Sequence, residues 1–314
     1  MKNFGLQNLK VSNVDTFTTP LGLKIRKNIN GFLKPILKVA TGKKINVHSY
    51  PELEKDKAYV FASTHYFNED IITALATIDR NAYALIGTTN QIDNNPLMYA
   101  AWINGMVYVD RLNDKSRKES VDKMKKVLSN GNSVLIFPEG GWNNTENLLV
   151  QSLFAGPYIL SKDMNVEVVP ISTYYDEDGN EIHVKFGEPL KLYNYDKKDA
   201  LRLLRDSMAT MMYELIEEYS KPLVRCEIVG DHHLDYMEAR RKEYLKTKWT
   251  EDVWDEELTV YQEKGITTPK QIRESLDKVE VNADNAYVMA PVLVKRLEDK
   301  KYDFKDYMKR NWNK

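Results

Sequence analysis

The sequence predicts an α/β fold, a largely parallel sheet flanked by helices, with amphipathic helices before it and a helical extension after it. Three observations carry this prediction. Short apolar runs bounded by polar turns recur along residues 58–186, as in Val60-Phe61-Ala62 and Val134-Leu135-Ile136, and have the length and composition of buried strands. Segments of helical period separate these runs, so successive strands are joined by crossovers and lie parallel. Three of the runs end in unusual polar groups, His65 with Asp70, Arg111, and Glu139 with Gly140, and ligands of such sheets gather beyond the carboxyl ends of the strands.

The bulk composition narrows the function. With 314 residues, 42% hydrophobic and 29% charged, the chain can bury a sizeable core in one large domain or two smaller ones. A formal net charge of −1 argues against a nucleic-acid binder. The charge is unevenly spread, because residues 1–50 hold eight lysines and one arginine against the single acid Asp15. That asymmetry points to a surface facing anions. Cys226 is the only cysteine, which excludes an internal disulfide and a cysteine cluster for zinc and fits an intracellular protein. No run of about 18 apolar residues and no charged-then-apolar leader is found, so membrane contact is expected to be peripheral.

Taken in order, the first element is a basic amphipathic arm from Leu21 to Ala40. Leu21, Leu23, Ile25, Ile29, Phe32, Leu33, Ile36, Leu37 and Val39 alternate with Lys24, Arg26, Lys27, Lys34 and Lys38. Pro35 is expected to divide it into two short helices, since proline removes a donor and clashes with the preceding turn. The arm fits two readings, a helix lying in a membrane interface with lysines on anionic headgroups, or a helix packed on the domain with a solvated basic rim.

Next, Ala58–Ala62 reads as a buried strand, 63–70 as a polar turn, and Ile71–Ala76 as a helix with Asn68 as its cap. His65 and Asp70 are five apart, and five steps of about 100° put them on different faces of a continuous helix. They meet if His65 lies in the turn and reaches over the first turn of the helix. Asp70 then holds one tautomer and leaves the other imidazole nitrogen as a general base. Alone, the pair reads first as ordinary capping and solubility.

Asn81–Gly87 reads as a strand, Pro96–Asn104 as a helix containing Trp102, and Gly105–Arg111 as a strand ending in Asp110-Arg111. A basic helix is expected over Ser116–Ser129, with Ser116 and Glu119 as a capping box and Gly131 as the stop. Ser133–Phe137 is a strand running into Pro138-Glu139-Gly140-Gly141-Trp142. A helix near Leu153–Lys162 precedes strands at Val166–Ser172 and Glu181–Phe186. The long helix Lys197–Tyr219 carries Leu201, Leu204, Met208, Met211, Met212 and Leu215 on one side, a spacing that means core packing. From about Arg225 the chain is charged and helical, with Trp249, Trp254 and Trp312 scattered through it. Thr268-Pro269 opens one of its helices, and Pro291 interrupts another.

The ordered set His65-x4-Asp70, Gly105-Met106-Val107-Tyr108-Val109-Asp110-Arg111, Phe137-Pro138-Glu139-Gly140 and Val169-Pro170-Ile171 resembles the glycerolipid acyltransferase family, and more closely its bacterial 1-acylglycerol-3-phosphate acyltransferases. The resemblance covers roughly Ala58–Pro189. It implies transfer of a fatty acyl group from a thioester donor, acyl-CoA or acyl carrier protein, to a hydroxyl of a lysophosphatidate-like acceptor at the membrane surface. In that analogy His65 is the general base and Asp70 orients it. Arg111 binds the acceptor phosphate through paired charge-assisted bonds. Glu139 positions acceptor hydroxyls, Gly140 lets the backbone approach the reacting centre, and backbone amides after Phe137 stabilise the oxyanion. No cofactor or metal and no acyl-enzyme is implied. Cys226 reads as a small buried residue and His232-His233 as a solvated pair.

The chain departs from the family where relatives carry Thr-Arg after Phe-Pro-Glu-Gly, since here Gly141-Trp142-Asn143-Asn144 follows. Trp142 is expected to stack on a sugar, cover a cationic headgroup or line the acyl channel. It therefore motivates an alternative, the same chemistry on a glycolipid or lysophospholipid. A further alternative is a non-catalytic membrane-surface scaffold, and another a thioesterase, which leaves Arg111 without a role. The expected organisation is a membrane-docking arm at 1–45, an acyltransferase domain at 46–222, and a helical charged extension at 223–314. The expected location is the cytoplasmic face of the membrane, with anionic lipids as partner and no nucleic acid.

Overall fold

A computed structural model of the chain describes residues 20–67, 69–87, 106–109, 113–143, 148–221, 239, 242, 278–283, 285 and 289. Among the described residues, seven strands form one sheet: β1 (Lys44–Ser49), β2 (Val60–Ser63), β3 (Ala82–Ile86), β4 (Met106–Tyr108), β5 (Ser133–Ile136), β6 (Val168–Asp176) and β7 (Glu181–Phe186). Their order is β1-β7-β6-β2-β5-β3-β4. Every neighbouring pair is parallel except β6 and β7. β2 lies between β5 and β6 and is buried along its whole length, which is why it reads as an unbroken apolar run.

The pleat divides the core into two layers. On one side Phe61, Leu135, Val169 and Ile171 pack with Ala74, Leu75 and Ile78 around α2 (Asp70–Thr77) and with Leu37 of α1 (Pro20–Ala40). On the other, Val60, Ala62, Val134, Ile136 and Val168 meet Met124, Val127 and Leu128 of α3 (Asp114–Ser129), Leu160 of α4 (Gly156–Met164), and Leu204 and Met208 of α5 (Lys197–Tyr219). The sheet is thus covered by helices on both faces, as the alternation of elements implied.

Three local expectations are corrected. The arm is one helix through Pro35, not two. Gly31, whose carbonyl Pro35 deprives of its helical donor, is exposed like Pro35 itself, so water can satisfy that carbonyl, while buried Leu37 fixes the following turn. α3 starts two residues before the expected capping box, because the Asn113 side chain accepts the backbone N–H groups of Lys115 and Ser116 at 3.0 and 3.2 Å. β1 is an edge strand that the sequence reading passed over. Its pattern is half exposed, and its place comes from pairing with β7, 137 residues later.

Other boundaries follow local chemistry. α3 stops at Gly131, whose φ is +74°; the Gly131 and Asn132 amides donate to Leu128 and Val127 carbonyls, closing the helix as a Schellman motif. Asp196 caps α5 by accepting the Asp199 amide, and Leu204, Met208, Met211, Met212 and Leu215 are buried as core. The chain divides into two compact units, Met1–Lys264 and Gly265–Lys314, and residues 239, 242 and 289 of the C-terminal region are helical. Asn68, the expected 96–104 helix, Cys226, His232-His233, Trp249, Trp254, Thr268-Pro269, Pro291 and Trp312 lie outside the described residues. Among the described residues no helix is long and apolar enough to cross a membrane.

Candidate active site

β2 delivers the chain to the carboxyl edge of the sheet at Ser63. The Thr64 amide donates to the Ile171 carbonyl at 3.1 Å, and the Thr173 amide donates to Thr64 Oγ1 at 3.1 Å. The last strand residues are thereby fixed to β6, and His65 begins the turn. α2 starts five residues on, placing Asp70, wholly buried, beneath that turn.

The two side chains meet as expected. His65 Nδ1 lies 2.7 Å from Asp70 Oδ2. That oxygen also accepts the amides of Tyr66 at 3.0 Å and Phe67 at 3.4 Å, so it acts as acceptor throughout, and the shared hydrogen sits on Nδ1. In the neutral ring this leaves the lone pair on Nε2, the tautomer a general base requires. The imidazole is held between two rings: Phe137, with centroids 4.6 Å apart, and the edge of Trp142, at 6.3 Å and 80°.

Glu139 stands where β5 ends, and its carboxylate is fully buried. Oε1 accepts the His65 amide at 3.1 Å, and Oε2 accepts the Gln151 amide at 2.9 Å. These two bonds tie the histidine turn to the segment after residue 148, and the carboxylate also lines the cleft described below. The Asn143 amide adds a second tie by donating to the His65 carbonyl at 2.6 Å. Gly140 has φ +74°, and a Cβ there would run into the Phe154 ring. Its missing side chain makes room for that ring. Of the amides considered for an oxyanion site, Gly140 donates to Phe137 and Asn143 to His65.

Trp142 is 2% exposed. Its indole packs beside the His65 imidazole and presents no free face to solvent; its carbonyl accepts from the buried Gln151 side chain at 3.0 Å. Arg111 lies outside the described residues.

A cleft of about 170 Å³ opens over His65. Thr64, Tyr66, Glu139 and Asn143 form its polar floor, and Leu148, Leu149, Tyr174, Met212 and Ile216 its more apolar wall. Burial pushes the Tyr174 phenol above its usual range, with Asp176, Glu177 and Asp178 adding to the effect. Among the described residues no group of three His, Cys, Asp or Glu is placed to hold a metal ion. Met212, read from the sequence as core, and Ile216 also line the cleft, because a spacing of four on α5 fits the core stripe equally. Gln151 carried no signal beyond being polar in an apolar stretch.

Residues 44–174 match the model of the Acyltransferase family. No curated protein matches the chain. Among solved structures, the chain is similar to the 1-acyl-sn-glycerophosphate (LPA) acyltransferase PlsC from Thermotoga maritima, with 16% identity, a TM-score of 0.52, and coverage of 69% of this chain and 90% of that one. At that identity the likeness shows the fold, a mostly parallel sheet flanked by helices. The family match spans β1 to β6 and includes His65, Asp70, Arg111, Glu139, Gly140 and Trp142.

Proposed function

We propose that this chain, whose residues 44–174 belong to the acyltransferase family, moves a fatty acyl group from acyl-CoA or acyl carrier protein to the hydroxyl of a lysophosphatidate-like acceptor. The observation that carries the reading is the His65–Asp70 pair with Nε2 left as acceptor at an apolar-walled cleft. Nε2 takes the proton of the acceptor hydroxyl as its oxygen attacks the thioester carbonyl. The tetrahedral intermediate collapses by breaking the C–S bond, and the departing thiolate takes the proton back from the imidazolium. The products are the ester and the free thiol, and no acyl-enzyme forms. Such base catalysis is worth roughly 10²–10⁴-fold in rate. The Leu148, Leu149, Met212 and Ile216 wall suits hydrocarbon, and Arg111 is assigned the acceptor phosphate.

Docking to anionic lipid at the cytoplasmic face belongs to the same reading. Phe32, Ile36 and Val39 follow one stripe of α1 and are exposed at 73%, 46% and 80%, on a helix that also carries Lys24, Arg26, Lys27, Lys34 and Lys38. An exposed apolar stripe beside basic residues suits a helix lying in the headgroup region. With Trp142 buried, a glycolipid acceptor is kept as the second reading, tested in the same acceptor panel.

The test is transfer from a radiolabelled thioester by the purified protein and by His65→Ala, with lysophosphatidate, lysophospholipids and glycolipids as acceptors. Label on lysophosphatidate only with the parent supports the reading. Free fatty acid without acceptor dependence makes the protein a thioesterase, and no turnover with a competent donor and intact fold makes it a scaffold.

A further inference from the structure

α2 is only eight residues long, about 12 Å, and it carries Asp70 as its first residue. What holds its ends therefore decides where the Asp70 carboxylate points. The C-terminal end is held by α1 and the N-terminal end by Lys43, in the link between α1 and β1. Lys34 Nζ donates to the carbonyl of Ile78, the C-cap of α2. Burial lowers the pKa of this ammonium, against the opposing pull of Asp79. Leu37, 1% exposed, packs on the same side of the core as Ala74 and Ile78. At the other end Lys43 Nζ lies 2.6 Å from Glu69 Oε1, with the two side chains only 13% and 22% exposed.

Glu69 is the N-cap of α2, yet its side chain makes no capping bond. Its carboxylate is turned instead to Lys43. Lys43 Nζ is also 4.7 Å from the centroid of the Tyr175 ring. That ring stacks on Phe67 at 5.8 Å and 24°, and the Tyr175 amide donates to Tyr66 Oη. Lys43 thus contacts both the residue preceding Asp70 and the aromatic wall behind Tyr66 and Phe67, whose amides share Oδ2 of Asp70 with the His65 ring.

We propose that Lys43 and Glu69 are positioning residues for the His65–Asp70 pair, joining the α1 arm to the turn that carries the base. The pair touches no reacting atom and acts through Asp70. It rests on the acyl-transfer reading for its kinetic effect, and its structural effect is readable without turnover. Lys44 and Glu181 supply an internal control, an ion pair of 2.8 Å on the sheet edge with Lys44 67% exposed.

The experiment compares Lys43→Met, Glu69→Gln, the double variant, Lys43→Arg and Lys44→Met by steady-state kinetics, thermal unfolding and the low-field proton resonance of His65 Nδ1. Lys43→Met and Glu69→Gln are expected to lower kcat about tenfold, since misplacing a catalytic group by a fraction of an ångström is costly, with KM within about twofold and the Nδ1 resonance broadened. The double variant is expected to be no worse than either single one, Lys43→Arg to restore most of kcat, and Lys44→Met to match the parent. A Lys43→Met protein that keeps the parent resonance overturns the proposal, whatever its stability or activity. If the parent transfers no acyl group but the resonance responds to Lys43→Met and Glu69→Gln, the positioning stands and the acyl-transfer reading falls.

Discussion

The backbone amide of His65 donates to Glu139 Oε1 at 3.1 Å, so a carboxylate at the end of one strand fixes the turn that begins at the end of its neighbour. With Asp70 on the imidazole and Asn143 on the carbonyl, His65 is held at its N–H, its C=O and its ring. The fold alone therefore fixes the orientation of the imidazole, which is the preorganisation that the proposed general base requires.

Asp70→Asn removes an acceptor from Nδ1 and presents either an amide N–H or a weaker oxygen to it, which releases the tautomer. Turnover of acyl transfer is expected to fall about 10³-fold with little change in circular dichroism. Turnover within a few-fold of the parent would remove Asp70 from the mechanism.

Glu139→Gln keeps one acceptor oxygen but turns an NH2 toward a backbone N–H, either of His65 or of Gln151. A buried donor left facing a donor costs about 1–3 kcal/mol. The melting temperature is expected to fall and kcat to fall with it, more than KM changes. If KM for the acceptor alone rises, Glu139 contacts substrate hydroxyls after all.

Gly140→Ala meets two obstacles, a φ of +74° and the Phe154 ring. The backbone part alone costs on the order of 1–3 kcal/mol. Adding Phe154→Ala is expected to recover the steric part and leave the backbone part, measured by denaturant unfolding of the single and double variants. Full recovery would show that φ carries no cost.

Acid is expected to weaken the sheet edge. His183, 4% exposed, shares a 2.9 Å bond with His48 and stacks on Tyr219 with ring centroids 3.8 Å apart, with Glu181 nearby. Burial first, and the His48 charge second, hold its pKa below the ordinary 6.5. The unfolded chain therefore binds this proton more readily, so the stabilisation is complete above about pH 6.5 and is lost as pH falls through the folded value. Thermal melts from pH 7.5 to 5 should show this decline, and His183→Gln should flatten it. An equal decline in both proteins would assign the acid sensitivity elsewhere.

The amino-acid sequence by itself determined the buried strands β2 and β5, the span of α5, and the meeting of His65 with Asp70. Each of these is written in neighbouring residues: a strand buried on both faces must be apolar throughout, and a turn of five residues brings a histidine over the start of its helix. Only the tertiary structure decided what Glu139, Gly140 and Trp142 touch. Their partners, Gln151, Phe154 and His65, are 12, 14 and 77 residues away, and nothing local distinguishes a carboxylate that will hold backbone amides from one that will hold substrate. The same holds for β1, which pairs across 137 residues, and for Lys43, whose partner Glu69 is 26 residues on. Burial and local periodicity are short-range properties and can be read from the chain. Pairing across the sheet depends on which strands become neighbours, and that is settled when the whole core closes.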